Sequence, residues 1–132
     1  MLRKPRALPK NPHIAVVAAS GPSDIERIEQ GKRNLEGRGM RVTLAPNIAR
    51  KGPHSYLAGD DGERLEYLNQ FLRSEEFDAF FFSRGGYGAM RILDRIDYDA
   101  IARNPRPIVG FSDVTALHQA IAMKSGDRKS VV

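Results

Sequence analysis

The chain of 132 residues contains no cysteine, which excludes disulfides, thiolate metal sites and a cysteine nucleophile. No apolar run approaches the about 20 residues that a membrane-crossing helix needs, so we expect no membrane partner. The first eleven residues carry charge but lack the apolar centre of a secretion signal. These absences together predict a cytoplasmic protein.

Cofactor motifs are also lacking. Neither the dinucleotide pattern G-x-G-x-x-G nor the phosphate loop G-x-x-x-x-G-K-[ST] occurs, although each would mark a nucleotide site. No cluster of histidines and carboxylates has the spacing of metal ligands. We therefore expect the protein to use no cofactor and no metal.

The net charge of +5 lies mainly at the two ends of the chain. Basic residues are concentrated in the first twelve and the last nine positions, whereas the body between His13 and Met123 is near neutral. Nucleic-acid binding needs positive charge clustered on the folded part, so we expect no nucleic-acid partner. The pattern predicts solvated basic tails at 1–12 and 124–132, which flank one domain (13–123).

Apolar runs alternate with helical patterns along this domain. The run at 14–19 is continuously apolar, as expected for a buried parallel strand, and the largely apolar segments 40–45, 78–83 and 107–111 predict three more strands. Between them, apolar residues recur at helical spacing, and we expect these to form the buried helix faces: Ile25, Ile28, Leu35, Leu65, Leu68, Phe71 and Leu72. Such alternation predicts a doubly wound α/β fold with a mostly parallel sheet and helices on both faces.

Three loops that follow predicted strands carry the candidate functional residues. They are 20–22 (SGP), 84–88 (RGGYG) and 112–113 (SD). In a parallel sheet the carboxyl ends of the strands share one edge, where ligands bind. We therefore expect the three loops to meet there.

Ser112 is the strongest candidate nucleophile because it stands where an apolar run ends and a helical pattern begins. A serine at such a turn can point its hydroxyl to free N–H groups at the helix start, which stabilise an oxyanion. An ordinary helix cap by Ser112, with Asp113 interacting with the helix dipole, is the alternative. The turn also lacks the second glycine of the G-x-S-x-G pattern, since Val114 stands in its place.

The glycine-rich loop at 84–88 allows backbone N–H groups to approach a bound oxyanion or phosphate. A simple tight turn with an exposed Arg84 is the alternative. Tyr87 is expected either to line a pocket or only to pack.

A base for Ser112 is harder to find among the three histidines. His13 precedes the first strand and so belongs at the opposite edge of the sheet. His54 lies in a long loop, and His118 follows Ser112 by six positions, on a different face of the predicted helix. No Ser-His-carboxylate triad is convincing within the chain.

Four segments, taken together and in order, resemble the N-terminal domain of the LD-carboxypeptidases, a serine peptidase family that includes the microcin-immunity proteins. The segments are 14–22 (IAVVAASGP), 56–64 (YLAGDDGER), 84–89 (RGGYGA) and 110–117 (GFSDVTAL). The resemblance covers residues 13–123 and implies a flavodoxin-like sheet. It fades after Met123, where the ending looks like that of a truncated or frame-disrupted gene.

The resemblance implies hydrolysis of the L,D-amide of murein tetrapeptides, with release of D-alanine during cell-wall recycling. It implies Ser112 as the nucleophile and the N–H groups of Asp113 and of Gly85 or Gly86 as the oxyanion hole. From its charge and position we expect Arg84 to help hold a substrate carboxylate, with Tyr87 as a further substrate contact. Muropeptides and microcin-like peptidyl adenylates both remain open as substrates, and members of the family commonly form homodimers.

In this family the base histidine and its glutamate lie in a C-terminal domain, which we expect to be absent here. The isolated chain is therefore expected to turn over little or no substrate. Two other readings stay open at this point: a peptide- or anion-binding module without catalysis, and a truncated fragment without function.

Overall fold

The computed structural model describes residues 4–125. Its centre is a sheet of four parallel strands in the order β2-β1-β3-β4. The strands are β1 (His13–Val17), β2 (Arg41–Leu44), β3 (Ala79–Phe82) and β4 (Ile108–Val109). This order begins the flavodoxin-like arrangement of doubly wound sheets, and the predicted α/β fold is confirmed.

Four α-helices connect and follow the strands: α1 (Ile25–Glu36), α2 (Asp61–Arg73), α3 (Tyr98–Arg103) and α4 (Val114–Ser125). Two 3₁₀ turns, Ala89–Arg91 and Leu93–Arg95, lie between β3 and α3. Side-chain caps fix where the helices start. Asp24 accepts the N–H of Arg27 at α1, and Asp60 forms a reciprocal capping box with Glu63 at α2.

The two faces of the sheet are covered unequally. One face packs on α2, α3 and α4 through a large apolar cluster that includes Phe80, Leu68 and Leu117. The other face packs on α1 through a smaller cluster that includes Val16 and Ile28. Because α1 and α2 leave on opposite faces, a crevice is expected between β1 and β3 at the carboxyl edge of the sheet.

Arg106 joins the end of α2 to the start of β4. Its buried guanidinium donates hydrogen bonds to the carbonyl oxygens of Leu72, Ser74 and Phe77 and lies over the Phe80 ring. The Leu72 and Ser74 carbonyls, at the end of α2, would otherwise lack helical partners. Burial lowers the pKa of Arg106 to about 10, so the group stays charged at neutral pH.

Some expectations on element boundaries and tails need adjustment. The strands are shorter than the apolar runs that predicted them, and Ile25 is 49% exposed rather than part of the buried face of α1. Of the basic N-terminal segment, Arg6 forms an ion pair with Asp78. Most of the expected divergent tail, residues 126–132, lies outside the described residues.

Among the described helices, none has the length and apolar character required to span a bilayer.

Candidate active site

Ser112 lies just beyond β4, exposed to solvent, in a left-handed backbone conformation with φ of +59°. A non-glycine residue seldom takes this conformation, and it is costly unless the surroundings impose it. An ordinary N-cap residue has extended backbone angles, so the Ser112 backbone does not match the capping alternative. The turn instead presents the Ser112 hydroxyl at the carboxyl edge of the sheet.

The glycine-rich loop after β3 lies directly against Ser112. A methyl group on Gly85 would lie 2.8 Å from the Ser112 Cβ, 3.0 Å from its Oγ and 3.3 Å from the Asp113 nitrogen. These distances are too short for a side chain, so the approach requires glycine at position 85. The glycine-rich loop is also joined to the loop at 20–22, because the Gly21 N–H donates to the Gly85 carbonyl over 3.1 Å.

Three backbone N–H groups near Ser112 are available as donors. Within the described part of the chain, the N–H groups of Gly85, Gly86 and Asp113 donate to no other protein group. Gly86 has φ of +143°, a conformation that favours glycine. Unpaired backbone N–H groups are the kind of donor that stabilises an oxyanion.

The Asp113 carboxylate holds the three loops together. Its Oδ2 accepts hydrogen bonds from the Ser20 hydroxyl at 2.6 Å and from the N–H groups of Gly88 and Ala89, each at 2.9 Å. The predicted meeting of the three loops is therefore seen in the structure. Sequence reasoning considered the N–H of Asp113 as an oxyanion donor and its carboxylate as a partner of the helix dipole, but it did not predict that the carboxylate joins the loops.

Arg64, on α2, supports the same loops from inside the molecule. The side chain is fully buried, and its guanidinium donates to the carbonyl oxygens of Ala19, Gly59 and Gly88 at 3.0 to 3.2 Å. The peptide groups at Gly88 are thus bound from two sides, at the carbonyl by Arg64 and at the N–H by Asp113. Sequence reasoning included Arg64 only as the last residue of the segment 56–64 and assigned it no role.

Asp61 supplies the negative charge beside Arg64. The hydrogen bond from Arg91, together with that from Arg64, lowers the pKa of Asp61 to about 2 despite partial burial. A buried guanidinium is tolerated when it is paired in this way and fully hydrogen-bonded.

The two predicted substrate-contacting residues lie at the rim of the site. Arg84 is exposed, and its Nη1 donates to the Pro22 carbonyl over 3.0 Å. Tyr87 is 83% exposed, so it does not pack in the core.

The histidines do not complete a triad with Ser112. His118 is fully buried, with Nε2 3.1 Å from the Ile108 carbonyl oxygen. His13 stands at the start of β1 with Nε2 2.7 Å from the Thr43 hydroxyl, and His54 is exposed beside Tyr56. Among residues 4–125, no group of three or more histidines and carboxylates is placed to hold a metal ion.

A serine in a left-handed conformation, with unpaired backbone N–H groups nearby, thus lies between β4 and α4 at the carboxyl edge of a doubly wound sheet. The family model of the LD-carboxypeptidase N-terminal domain matches residues 14–129. The chain therefore belongs to this peptidase family.

Two relatives show how similar the chain is to proteins named as murein carboxypeptidases. The "probable murein peptide carboxypeptidase" of Bacillus subtilis is 38% identical over 123 residues, covering 93% of this chain and 38% of the relative. The "murein tetrapeptide carboxypeptidase" of Pseudomonas aeruginosa is 31% identical over 113 residues, covering 85% of this chain and 36% of the relative. The chain thus spans less than two fifths of the length of either relative.

The fold is shared with solved structures of related proteins. An MccF-like protein from Bacillus anthracis superimposes with a TM-score of 0.89 at 26% identity, over 98% of this chain and 40% of that one. The likeness confirms the α/β architecture.

Proposed function

We propose that this chain supplies the nucleophile half of a serine LD-carboxypeptidase. The substrate would be a murein tetrapeptide whose terminal D-alanine is attached through an L,D-amide, and the setting would be cell-wall recycling in the cytoplasm. The observation that carries the proposal is the contact between Ser112, at φ +59°, and Gly85, which has no room for a side chain. The names of the curated relatives supply the substrate class.

In the proposed reaction the Ser112 Oγ attacks the carbonyl carbon of the L-residue while a base takes the hydroxyl proton. The carbonyl oxygen becomes an oxyanion, which the N–H groups of Asp113 and of Gly85 or Gly86 stabilise. The C–N bond then breaks, and the proton returns to the amine of the leaving D-alanine. Water hydrolyses the resulting ester and frees Ser112.

The fixed positions of the donors support this mechanism. Hydrogen-bond donors stabilise a transition state most when they need no rearrangement during the reaction. Here the Asp113 carboxylate binds the N–H groups of Gly88 and Ala89, and Arg64 binds the Gly88 carbonyl. The glycine-rich loop is therefore held in place before substrate arrives. Arg84 and Tyr87, at its rim, would contact the substrate.

The base is proposed to come from the part of the relatives that this chain does not match. His118 is buried in the core, and His13 lies at the other edge of the sheet. Without a base, serine hydrolases lose several orders of magnitude in rate. We therefore expect turnover only when the remaining portion of a relative is supplied.

Release of D-alanine from an L,D-linked murein tetrapeptide tests the proposal. Three proteins are compared: the chain alone, a fusion carrying the C-terminal portion of the Bacillus subtilis relative, and that fusion with Ser112→Ala. We expect D-alanine from the fusion only, with the Ser112→Ala rate at least about a thousandfold lower. Ser74→Ala in the fusion, at the C-terminal cap of α2, is the matched control and should retain most of the activity.

Turnover by the fusion that survives Ser112→Ala would contradict the assignment of the nucleophile. Turnover by the chain alone, lost in Ser112→Ala, would contradict the proposal that the base lies elsewhere.

A further inference from the structure

A groove of about 600 Å³ opens beside Ser112 at the crevice between β1 and β3. The β1–α1 connection and α1 form one wall, and the ends of β3 and β4 form the other. The lining residues are Ser23, Asp24, Arg27, Ile28, Ser83, Arg84 and Phe111. This crevice lies at the switch point of the sheet, where doubly wound folds bind their ligands.

The groove adjoins Ser112 through two of its lining residues. Phe111 directly precedes Ser112, and Arg84 directly precedes Gly85, which contacts Ser112. A group bound in the groove beside Arg84 therefore lies next to the turn that holds Ser112.

The polar groups of the groove favour an anion. Two guanidinium groups, of Arg27 and Arg84, face one carboxylate, that of Asp24, which already caps α1 by accepting the Arg27 N–H at 3.0 Å. Among the described residues, the hydroxyls of Ser23 and Ser83 have no hydrogen-bond partner. The lining thus offers an excess of positive charge, and two buried hydroxyls without partners lie in its wall.

The chemistry of a carboxypeptidase requires such a site. The enzyme must recognise the free carboxylate of the last residue, which lies about one residue length beyond the bond that is cut. Guanidinium groups bind carboxylates through paired, charge-assisted hydrogen bonds. Ile28 and Phe111 add apolar surface, which suits the small methyl group of an alanine.

We propose that this groove binds the terminal α-carboxylate of the leaving D-amino acid, with Arg27 and Arg84 as its cationic contacts. The inference rests on the proposed carboxypeptidase function and adds the site that binds the C-terminal carboxylate of the substrate. It predicts that the enzyme trims only free carboxyl ends, because a carboxamide would leave both guanidinium groups without a charged partner.

The first test is a nuclear magnetic resonance titration of the ¹⁵N-labelled chain. The probes are N-acetyl-L-lysyl-D-alanine, its C-terminal carboxamide and adenosine monophosphate. We expect shifts at the groove with the free acid, and affinity at least about tenfold weaker for the carboxamide and for Arg84→Gln or Arg27→Gln, in line with the loss of a charged hydrogen bond. Arg95→Gln, an exposed arginine beyond the groove, is the matched control and should bind normally.

The second test measures D-alanine release in the fusion protein with the same arginine variants. We expect KM to rise about tenfold or more in Arg84→Gln and Arg27→Gln, with a smaller change in kcat. Release that is unchanged in both variants would overturn the groove assignment and leave the proposed function intact. Equal binding of acid and carboxamide, or groove shifts with adenosine monophosphate alone, would also overturn it. Carboxylate-dependent binding without D-alanine release would instead support the groove and count against the proposed function.

Discussion

Replacing Asp113 by alanine should destabilise the protein more than its partly exposed position suggests. One carboxylate oxygen accepts three hydrogen bonds, from Ser20, Gly88 and Ala89. A hydrogen bond to a charged group contributes about 1.5 to 3 kcal/mol when buried, and less when water has access. With roughly 1 kcal/mol for each of the three bonds, we expect the free energy of unfolding to fall by about 3 kcal/mol.

Urea denaturation followed by circular dichroism measures this loss. For a slope of about 1.5 to 2 kcal/mol per molar urea, the midpoint of Asp113→Ala should fall by about 1.5 to 2 M. Asp113→Asn keeps an oxygen acceptor and should lose only about 1 kcal/mol. The control is Asp94→Ala, which removes a carboxylate that is 81% exposed and should change stability by under about 0.5 kcal/mol.

The reasoning also predicts a functional consequence. In the fusion protein, Asp113→Asn should lower kcat for D-alanine release, because the loop that carries the N–H donors is held less firmly. If the Asp113→Ala and Asp94→Ala proteins unfold at the same urea concentration, the account of how the three loops are held together is refuted.

Three further predictions concern the groups around the site. Arg64→Met should lower the free energy of unfolding by about 3 kcal/mol or more, measured by urea denaturation, because it leaves buried carbonyl oxygens without donors. The pKa of Asp61 is depressed to about 2, so its stabilising contribution is present above about pH 4 and lost as the pH falls towards 2. Lowering the pH from 5 to 2.5 should therefore reduce the urea midpoint more in the wild type than in Asp61→Asn. An equal reduction in both proteins would count against the ion pair between Asp61 and Arg91. Gly85→Ala should abolish D-alanine release by the fusion, because the added methyl group fills the space beside Ser112. Circular dichroism should still show a folded protein. Full activity of this variant would contradict the observed contact.

The architecture could be predicted because its signals are local. The apolar run at 14–19 and the turn residues after it predict a buried parallel strand, and Asp24 is a typical cap for the helix that follows. The meeting of three loops followed from a general rule about parallel sheets. These inferences need no knowledge of which side chains touch.

The side chains that hold the site together could not be predicted in this way. Asp113 bonds to Ser20, which lies 93 positions earlier in the chain. Arg64 stands on a helix, where an arginine is usually exposed, and only its carbonyl partners from three separate loops explain its burial. The left-handed backbone of Ser112 also has no local sequence signal, because serine seldom adopts this conformation.

Covalent labelling of Ser112 is the measurement that tests the central claim most directly. The fusion protein is treated with a fluorophosphonate, which adds to an activated serine in place of substrate, and the modified residue is located by peptide mass spectrometry. The account predicts a single adduct on Ser112, absent from Ser112→Ala and strongly reduced in Gly85→Ala. Labelling of another serine such as Ser20, or D-alanine release by a fusion in which Ser112 is never labelled, would contradict it.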